Sequence, residues 1–139
     1  QDIFYERGDV YFASLHGDPV EAFPHFLGFA DEEGAGAGLG TTKNYPLPRG
    51  TLFDAWSAAM ADALSRIEAF GAEALVVSLG VDTFERDPIS FFRLKSEDYL
   101  RMGEALQRTG LPIVVCMEGG YGVPEIGLNV ANVLKGISG

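Results

Sequence analysis

Hydrophobic residues recur along this chain in two rhythms. Two short continuous apolar runs, ALVVSL at 74–79 and LPIVVCM at 111–117, predict strands buried on both faces. Between Phe53 and Phe70 the rhythm is different: Phe53, Trp56, Met60, Ala63, Ile67 and Phe70 recur at three- and four-residue spacing. That spacing predicts an amphipathic helix whose apolar face covers a sheet. Ser96 is placed to cap a second helix, with Glu97 and Asp98 in its first turn and Gly110 past its end. Pro124 suits the first turn of a last helix, on which Ile126, Val130, Val133, Leu134 and Ile137 form a stripe. Before all of these lie an extended segment, DVYFASLH at 9–16, and a glycine-rich loop that includes GAGAGLG at 34–40. Strands separated by helices predict an α/β fold, a three-layer α/β/α arrangement around a mostly parallel sheet. No repeat and no long linker divides the chain, so residues 1–139 are read as one unit.

Composition narrows the partners. A chain of 139 residues with 47% hydrophobic side chains can bury a sizeable core. No apolar run approaches the roughly 20 residues of a membrane span, and QDIFYERGDV at the start lacks a signal-peptide pattern. Twenty acidic against 10 basic side chains give a net charge of -10 without a basic stripe, which argues against nucleic acid and favours a cationic ligand. Cys116 stands alone within LPIVVCM and reads as a small buried hydrophobe.

Ligands of open α/β sheets gather at the carboxyl ends of strands. Two stretches fall there: GVDTF, with Asp82, follows one strand, and EGGYG, with Tyr121, follows the other. A carboxylate can ligate zinc, and a tyrosine hydroxyl can donate to a developing oxyanion. Gly119 and Gly120 would let the backbone approach a substrate closely. Equally, an Asp after a strand forms turns and caps, and a Tyr is often a packed ring with its hydroxyl bonded to backbone. His16 and His25 are the only histidines; with Asp82 they make up the number of a three-ligand zinc site, although neither lies in a pair with metal-ligand spacing.

The stretches SLHGDPVEAFPHFLGFADE, VVSLGVDTFERDPISFF and EGGYGVPEIGLNVANVLKG resemble the histone deacetylase and acetylpolyamine amidohydrolase superfamily, its acetylpolyamine amidohydrolase branch in particular. The likeness covers essentially the whole chain. It implies a deacetylase-like fold that is incomplete here, because Gln1 resembles the last residue of a run that carries two zinc ligands in the family. The chain is then expected to be the carboxyl-terminal part of a catalytic domain, with the paired general acid–base histidines upstream.

The resemblance implies that Asp82 is a zinc ligand and that Tyr121 hydrogen-bonds the substrate carbonyl. Phe23 resembles one wall of an aromatic tunnel, and His25, Gly119 and Gly120 fall at substrate-contacting positions. Ser14 and Leu15 resemble one monovalent-cation site, and Phe4, Arg7, Val10 and Thr41 a second, which implies potassium beside zinc. The activity implied is hydrolysis of acetylated polyamines, small cationic acetylated amines, to acetate and free amine by a cytoplasmic enzyme that is a homodimer when complete. With one of three ligands present, this chain alone is expected to be inactive. The rivals are a catalytically silent α/β interaction module and a deacetylase acting on acetyl-lysine in proteins.

Overall fold

The computed structural model describes all 139 residues. In chain order its elements are β1 (Phe12–Gly17), β2 (Thr42–Leu47), α1 (Phe53–Phe70), β3 (Leu75–Leu79), α2 (Ser96–Gln107), β4 (Ile113–Met117) and α3 (Ile126–Ser138). Short 3-10 turns occupy Asp2–Phe4 and Gly36–Gly38. The chain divides into two compact units, residues 1–49 with 58–72 and residues 50–57 with 73–139. The division runs through α1, so no shift in composition marks it in the sequence.

In the first unit β1 pairs with β2 in parallel, Phe12 opposite Thr42 through Gly17 opposite Leu47. The expected extended segment at 9–16 is realised as β1, shorter at its start by three residues. Its partner β2, TKNYPL, was not anticipated: Pro46 within it demotes a strand reading, and only two of its positions are buried. The part of α1 in this unit carries Asp62, which accepts from the Tyr45 hydroxyl at 2.7 Å and from Arg66 Nε at 2.7 Å. A glycine cap ends the helix. Gly71 is left-handed at φ 82°, its N–H bonds to Glu68 O, and the N–H of Ala72 bonds to Ile67 O, the pattern that satisfies the last carbonyls of a helix.

In the second unit β3 pairs with β4, also in parallel, Leu75 opposite Ile113 through Leu79 opposite Met117. The strands are thus parallel as the apolar runs predicted, but they form two separate pairs, β1–β2 and β3–β4, rather than one continuous sheet. The runs also led to an expectation of burial on both faces. Leu75 and Leu79 are buried, whereas Val76 and Val114 are 74% and 59% exposed, so one face of this pair is bare. Cys116 lies among the exposed residues and is not the buried hydrophobe its neighbours promised.

Helices α2 and α3 pack backbone to backbone where two glycines cross. A Cβ on Gly103 would stand 2.9 Å from the Gly136 Cα, and one on Gly136 would stand 2.8 Å from the Gly103 Cα. Val133 is fully buried beneath this crossing, whereas Leu134 of the expected stripe is 46% exposed. Both helix starts differ from the sequence reading by a residue or two. Lys95, not Ser96, is the N-cap of α2; Asp98 in its first turn reaches back to accept the Lys95 N–H at 2.8 Å, half of a reciprocal cap. Pro124 lies in a turn ahead of α3, after a cis peptide bond from Val123, and Glu125 is the N-cap.

Candidate metal and oxyanion site

The hydrogen-bond ladder of β3 and β4 runs one step beyond both strands. The N–H of Glu118 bonds to Leu79 O at 2.9 Å, and the N–H of Val81 bonds to Gly119 O at 2.7 Å. This extension holds the residues after β3 against those after β4 and places Asp82 beside EGGYG. The approach is close enough to require glycine on both sides. A Cβ on Gly80 would stand 2.8 Å from Asp82 Oδ1, and one on Gly119 would overlap Asp82 Oδ2 while lying 3.6 Å from Cε2 of Tyr121. The carboxylate of Asp82 and the ring of Tyr121 therefore both border the space that a side chain at Gly119 would occupy. Gly120 is packed equally tightly, its missing Cβ 2.5 Å from Val81 Cγ2.

Burial pushes the Asp82 carboxyl above the usual range, the negative charge of Asp87 pushes it further, and a bond from its own backbone N–H acts weakly the other way. A half-buried carboxylate with no cation facing it is poised for a positive ligand, because burial in low dielectric strengthens such an attraction. Tyr121 is 57% exposed, so its ring is offered to solvent rather than packed in the core.

Two residues that sequence reasoning passed over hold these groups. Tyr99 of α2 is fully buried; its hydroxyl donates to Val81 O at 3.1 Å and accepts from the Thr83 hydroxyl at 2.7 Å, holding the backbone of one neighbour of Asp82 and the side chain of the other. Asp87 is buried as well. Its Oδ2 accepts the N–H groups of Tyr121 at 2.6 Å and Gly122 at 2.8 Å, and its Oδ1 accepts that of Ile89 at 3.0 Å. The bond to Ile89 belongs to an Asx turn, which Asp-Pro announces in sequence. The bonds to residues 121 and 122 join distant segments and leave no local signal.

The first unit holds the remaining positions. Phe23 is 89% exposed, on a loop where the His25 ring lies 6.4 Å from that of Phe23 and 6.2 Å from that of Phe26. His25 and Phe26 both have positive φ, 63° and 58°, a conformation that non-glycine residues seldom adopt outside functional loops and tight turns. His16 is fully engaged, Nδ1 by the Ser14 hydroxyl at 2.8 Å and Nε2 by Gly28 O at 2.8 Å. The three-ligand set that His16, His25 and Asp82 could make up by number is not realised, since no three His, Cys, Asp or Glu side chains are grouped so as to hold a metal ion. Leu15 lies opposite Tyr45 in the β1–β2 register. The Thr41 hydroxyl lies 2.8 Å from Gly38 O and 3.1 Å from Arg7 O, its single hydrogen shared between the two carbonyls, and the Arg7 N–H bonds to Phe4 O at 2.9 Å. Val10, the remaining position of that group, is half-buried just ahead of β1.

These features coincide with a known domain. The histone deacetylase domain model matches residues 1–137, and the chain belongs to that family. Among characterised relatives it is 71% identical over 139 residues to the acetylpolyamine amidohydrolase of Mycoplana ramosa, matching all of this chain and 41% of that protein. It is 60% identical to acetylpolyamine amidohydrolase 1 of Pseudomonas aeruginosa, again over its whole length and 40% of the relative. The crystal structure of the acetylpolyamine aminohydrolase from Burkholderia pseudomallei superposes with a TM-score of 0.96 at 38% identity, covering 99% of this chain and 40% of that one. A histone deacetylase homologue crystallised with SAHA superposes at 0.87 and 30% identity, over 98% of this chain and 38% of its own. The α/β deacetylase fold expected from the sequence is thus the fold found, as a partial domain. The chain spans about two-fifths of the length of these relatives.

Proposed function

We propose that the longer protein containing this chain is a zinc-dependent amidohydrolase that removes acetyl groups from acetylated polyamines, and that residues 1–139 form part of its single catalytic domain. The observation that carries this reading is that the Asp82 carboxylate and the Tyr121 ring both border the space that a side chain at Gly119 would occupy, at the carboxyl ends of β3 and β4. A bound zinc ion would supply Lewis-acid polarisation of the amide carbonyl. Of the three protein ligands such an ion ordinarily takes, this chain offers Asp82, whose upward shift and glycine-lined surroundings suit a cation. Tyr121 would donate its hydroxyl hydrogen to the carbonyl oxygen, whose negative charge grows as the carbon becomes tetrahedral. The exposure of that ring supports such a contact. Proton transfer to and from the reacting atoms falls to groups outside this chain.

Phe23 and His25, on their exposed loop, would contribute aromatic surface to the substrate passage. The net charge of -10 favours a small cationic substrate, as do the polyamine-specific names of the relatives above. The nearness of the Thr41 hydroxyl to Arg7 O supports a monovalent cation at the second of the two expected sites. Homodimerisation and a cytoplasmic location follow from the family resemblance alone; no helix here is long and apolar enough to cross a membrane.

The test is acetate release by the full-length protein, with zinc content measured on the same samples. Hydrolysis of acetylated polyamines well above that of acetyl-lysine peptides is expected. A reversed preference makes it a protein deacetylase, and a zinc-loaded protein inert towards both makes it an interaction module.

A further inference from the structure

We infer that Asp87 is a positioning residue for the reaction: it sets where the Tyr121 hydroxyl stands by holding the backbone of the loop that carries it. This deepens, and rests on, the assignment of Tyr121 as the oxyanion donor.

The geometry is that of a clamp between two loops. The segment after β3 first presents Asp82 and then, five residues on, turns Asp87 inward so that one carboxylate oxygen receives two consecutive backbone N–H groups, those of Tyr121 and Gly122. A carboxylate that accepts several amides forms charge-assisted bonds, stronger than neutral ones. Asp87 is held in turn by the N–H of Ile89 on its other oxygen, so both oxygens have fixed partners. The neighbouring Arg86 reaches the same loop from outside, its Nη2 2.6 Å from Glu125 Oε1. In that outer contact the Arg86 side chain is solvent-exposed, which weakens it, while Glu125 is mostly covered. The inner one lies at a buried residue.

The need for such a clamp follows from composition. EGGYG places Tyr121 after two glycines and before a third, the most conformationally free setting the backbone offers. Its side chain adds little restraint, since the ring is more than half exposed. A donor aimed at a developing oxyanion must be placed to within a fraction of an ångström. Two bonds at residues 121 and 122 remove the freedom that the glycines confer. Gly122 fits this role, because a Cβ there would stand 3.3 Å from the Asp87 Cα and 3.5 Å from its Oδ2. A larger residue would crowd the clamp.

The test uses the full-length zinc-loaded protein as wild type, Asp87→Asn, Tyr121→Phe and the double variant. Asp87→Asn keeps the size of the side chain, removes its charge and puts an N–H group where an acceptor is needed. It should lower kcat by up to about 100-fold with little change in KM or zinc content. In the Tyr121→Phe background the same substitution should change kcat by no more than about 2-fold, because the group it acts through is gone. Equal losses in the two backgrounds would make Asp87 a general structural residue and overturn the inference, leaving the function of Tyr121 intact. An unchanged kcat for Tyr121→Phe would instead remove the oxyanion assignment, and the inference with it. Amide hydrogen exchange decides the clamp independently of activity, and does so even if Asp87→Asn does not fold. The Tyr121 and Gly122 amides should exchange slowly in the wild type, and at least about 10-fold faster in a folded Asp87→Asn. Rapid exchange of both in the wild type overturns the inference.

Discussion

Gly119 leaves open the volume that the Asp82 carboxylate fills: a Cβ at this glycine would overlap Oδ2 and stand 3.0 Å from Cγ. Asp82 is short, the backbone before it is fixed by the Val81–Gly119 bond, and the side chain of Thr83 after it is held by Tyr99. The carboxylate can therefore escape only by rotating away from its present direction. Gly119→Ala should accordingly leave the full-length protein folded while lowering its zinc content and its activity together. Metal analysis of the purified variant checks this, and full zinc occupancy with wild-type turnover would mean that Asp82 does not need its present orientation.

Asp82 itself separates charge from shape. Asp82→Asn keeps the side-chain volume and removes the upward-shifted carboxyl, so the fold should persist and the metal should be lost. Asp82→Ala should behave alike in metal content. A variant that held zinc as tightly as the wild type would return Asp82 to the role of a turn residue.

Tyr121 should separate binding from chemistry. Tyr121→Phe removes only a hydroxyl from an exposed ring, so melting temperature should stay within a degree or two while kcat falls by roughly 10²–10³-fold, the usual loss for one oxyanion donor. KM should move much less. An unchanged kcat with a lowered melting temperature would identify a packing residue instead.

Which of these features were legible in the sequence follows from the range of the interactions that create them. Helix α1 is legible in its local spacing, and its observed bounds, Phe53–Phe70, are those the spacing predicts. Asp82 and Tyr121 stand out as candidates in the sequence because each closely follows a strand, and a parallel pair brings its carboxyl ends together. Asp87 and Tyr99 were not found, because their work is done across long sequence separations by side chains whose local settings, ERDP and EDYL, read as a turn and a helix start. β2 escaped for a different reason: a strand with a proline and few buried positions has neither of the patterns that strands usually show. Cys116 was misjudged because a continuous apolar run cannot say which of its two faces is covered within this chain.

Tyr99 carries a pH dependence. Burial raises its hydroxyl above the ordinary value near 10; the Thr83 bond opposes this, and the charges of Asp82, Asp87 and Asp98 add to it. A tyrosine with a raised folded value contributes stability that is fully present below about pH 10 and is lost as pH rises through the folded value. The full-length protein should thus weaken in alkali from about pH 10 upward, measured as the urea midpoint against pH. Tyr99→Phe should flatten part of that decline and be less stable at neutral pH by about 1 kcal/mol, for the lost bond to Val81 O. An identical alkaline decline in the variant would show that another group titrates.

The bare face of β3 and β4 predicts how this chain behaves when prepared alone. Val76 and Val114 are register partners, and both are exposed on the side of the strand pair opposite Leu75 and Leu79. Adjacent β-branched side chains in water lose the roughly 25 cal/mol per Å² that burial would contribute, and a two-stranded sheet also offers unpaired backbone at its edges. Soluble proteins rarely leave such a surface uncovered. The isolated 139-residue chain should therefore self-associate, with sedimentation velocity showing species larger than 14.9 kDa that grow with concentration. Replacing Val76 and Val114 together by threonine keeps the β-branched shape and removes apolar surface, so it should shift the distribution towards monomer. The same pair of substitutions in the full-length protein should instead lower its melting temperature, if the rest of that protein packs on this face. A wild-type fragment that stays monomeric at every concentration would show that the exposed valines are not adhesive, and an unaltered melting temperature in the full-length variant would show that the face is solvated there too.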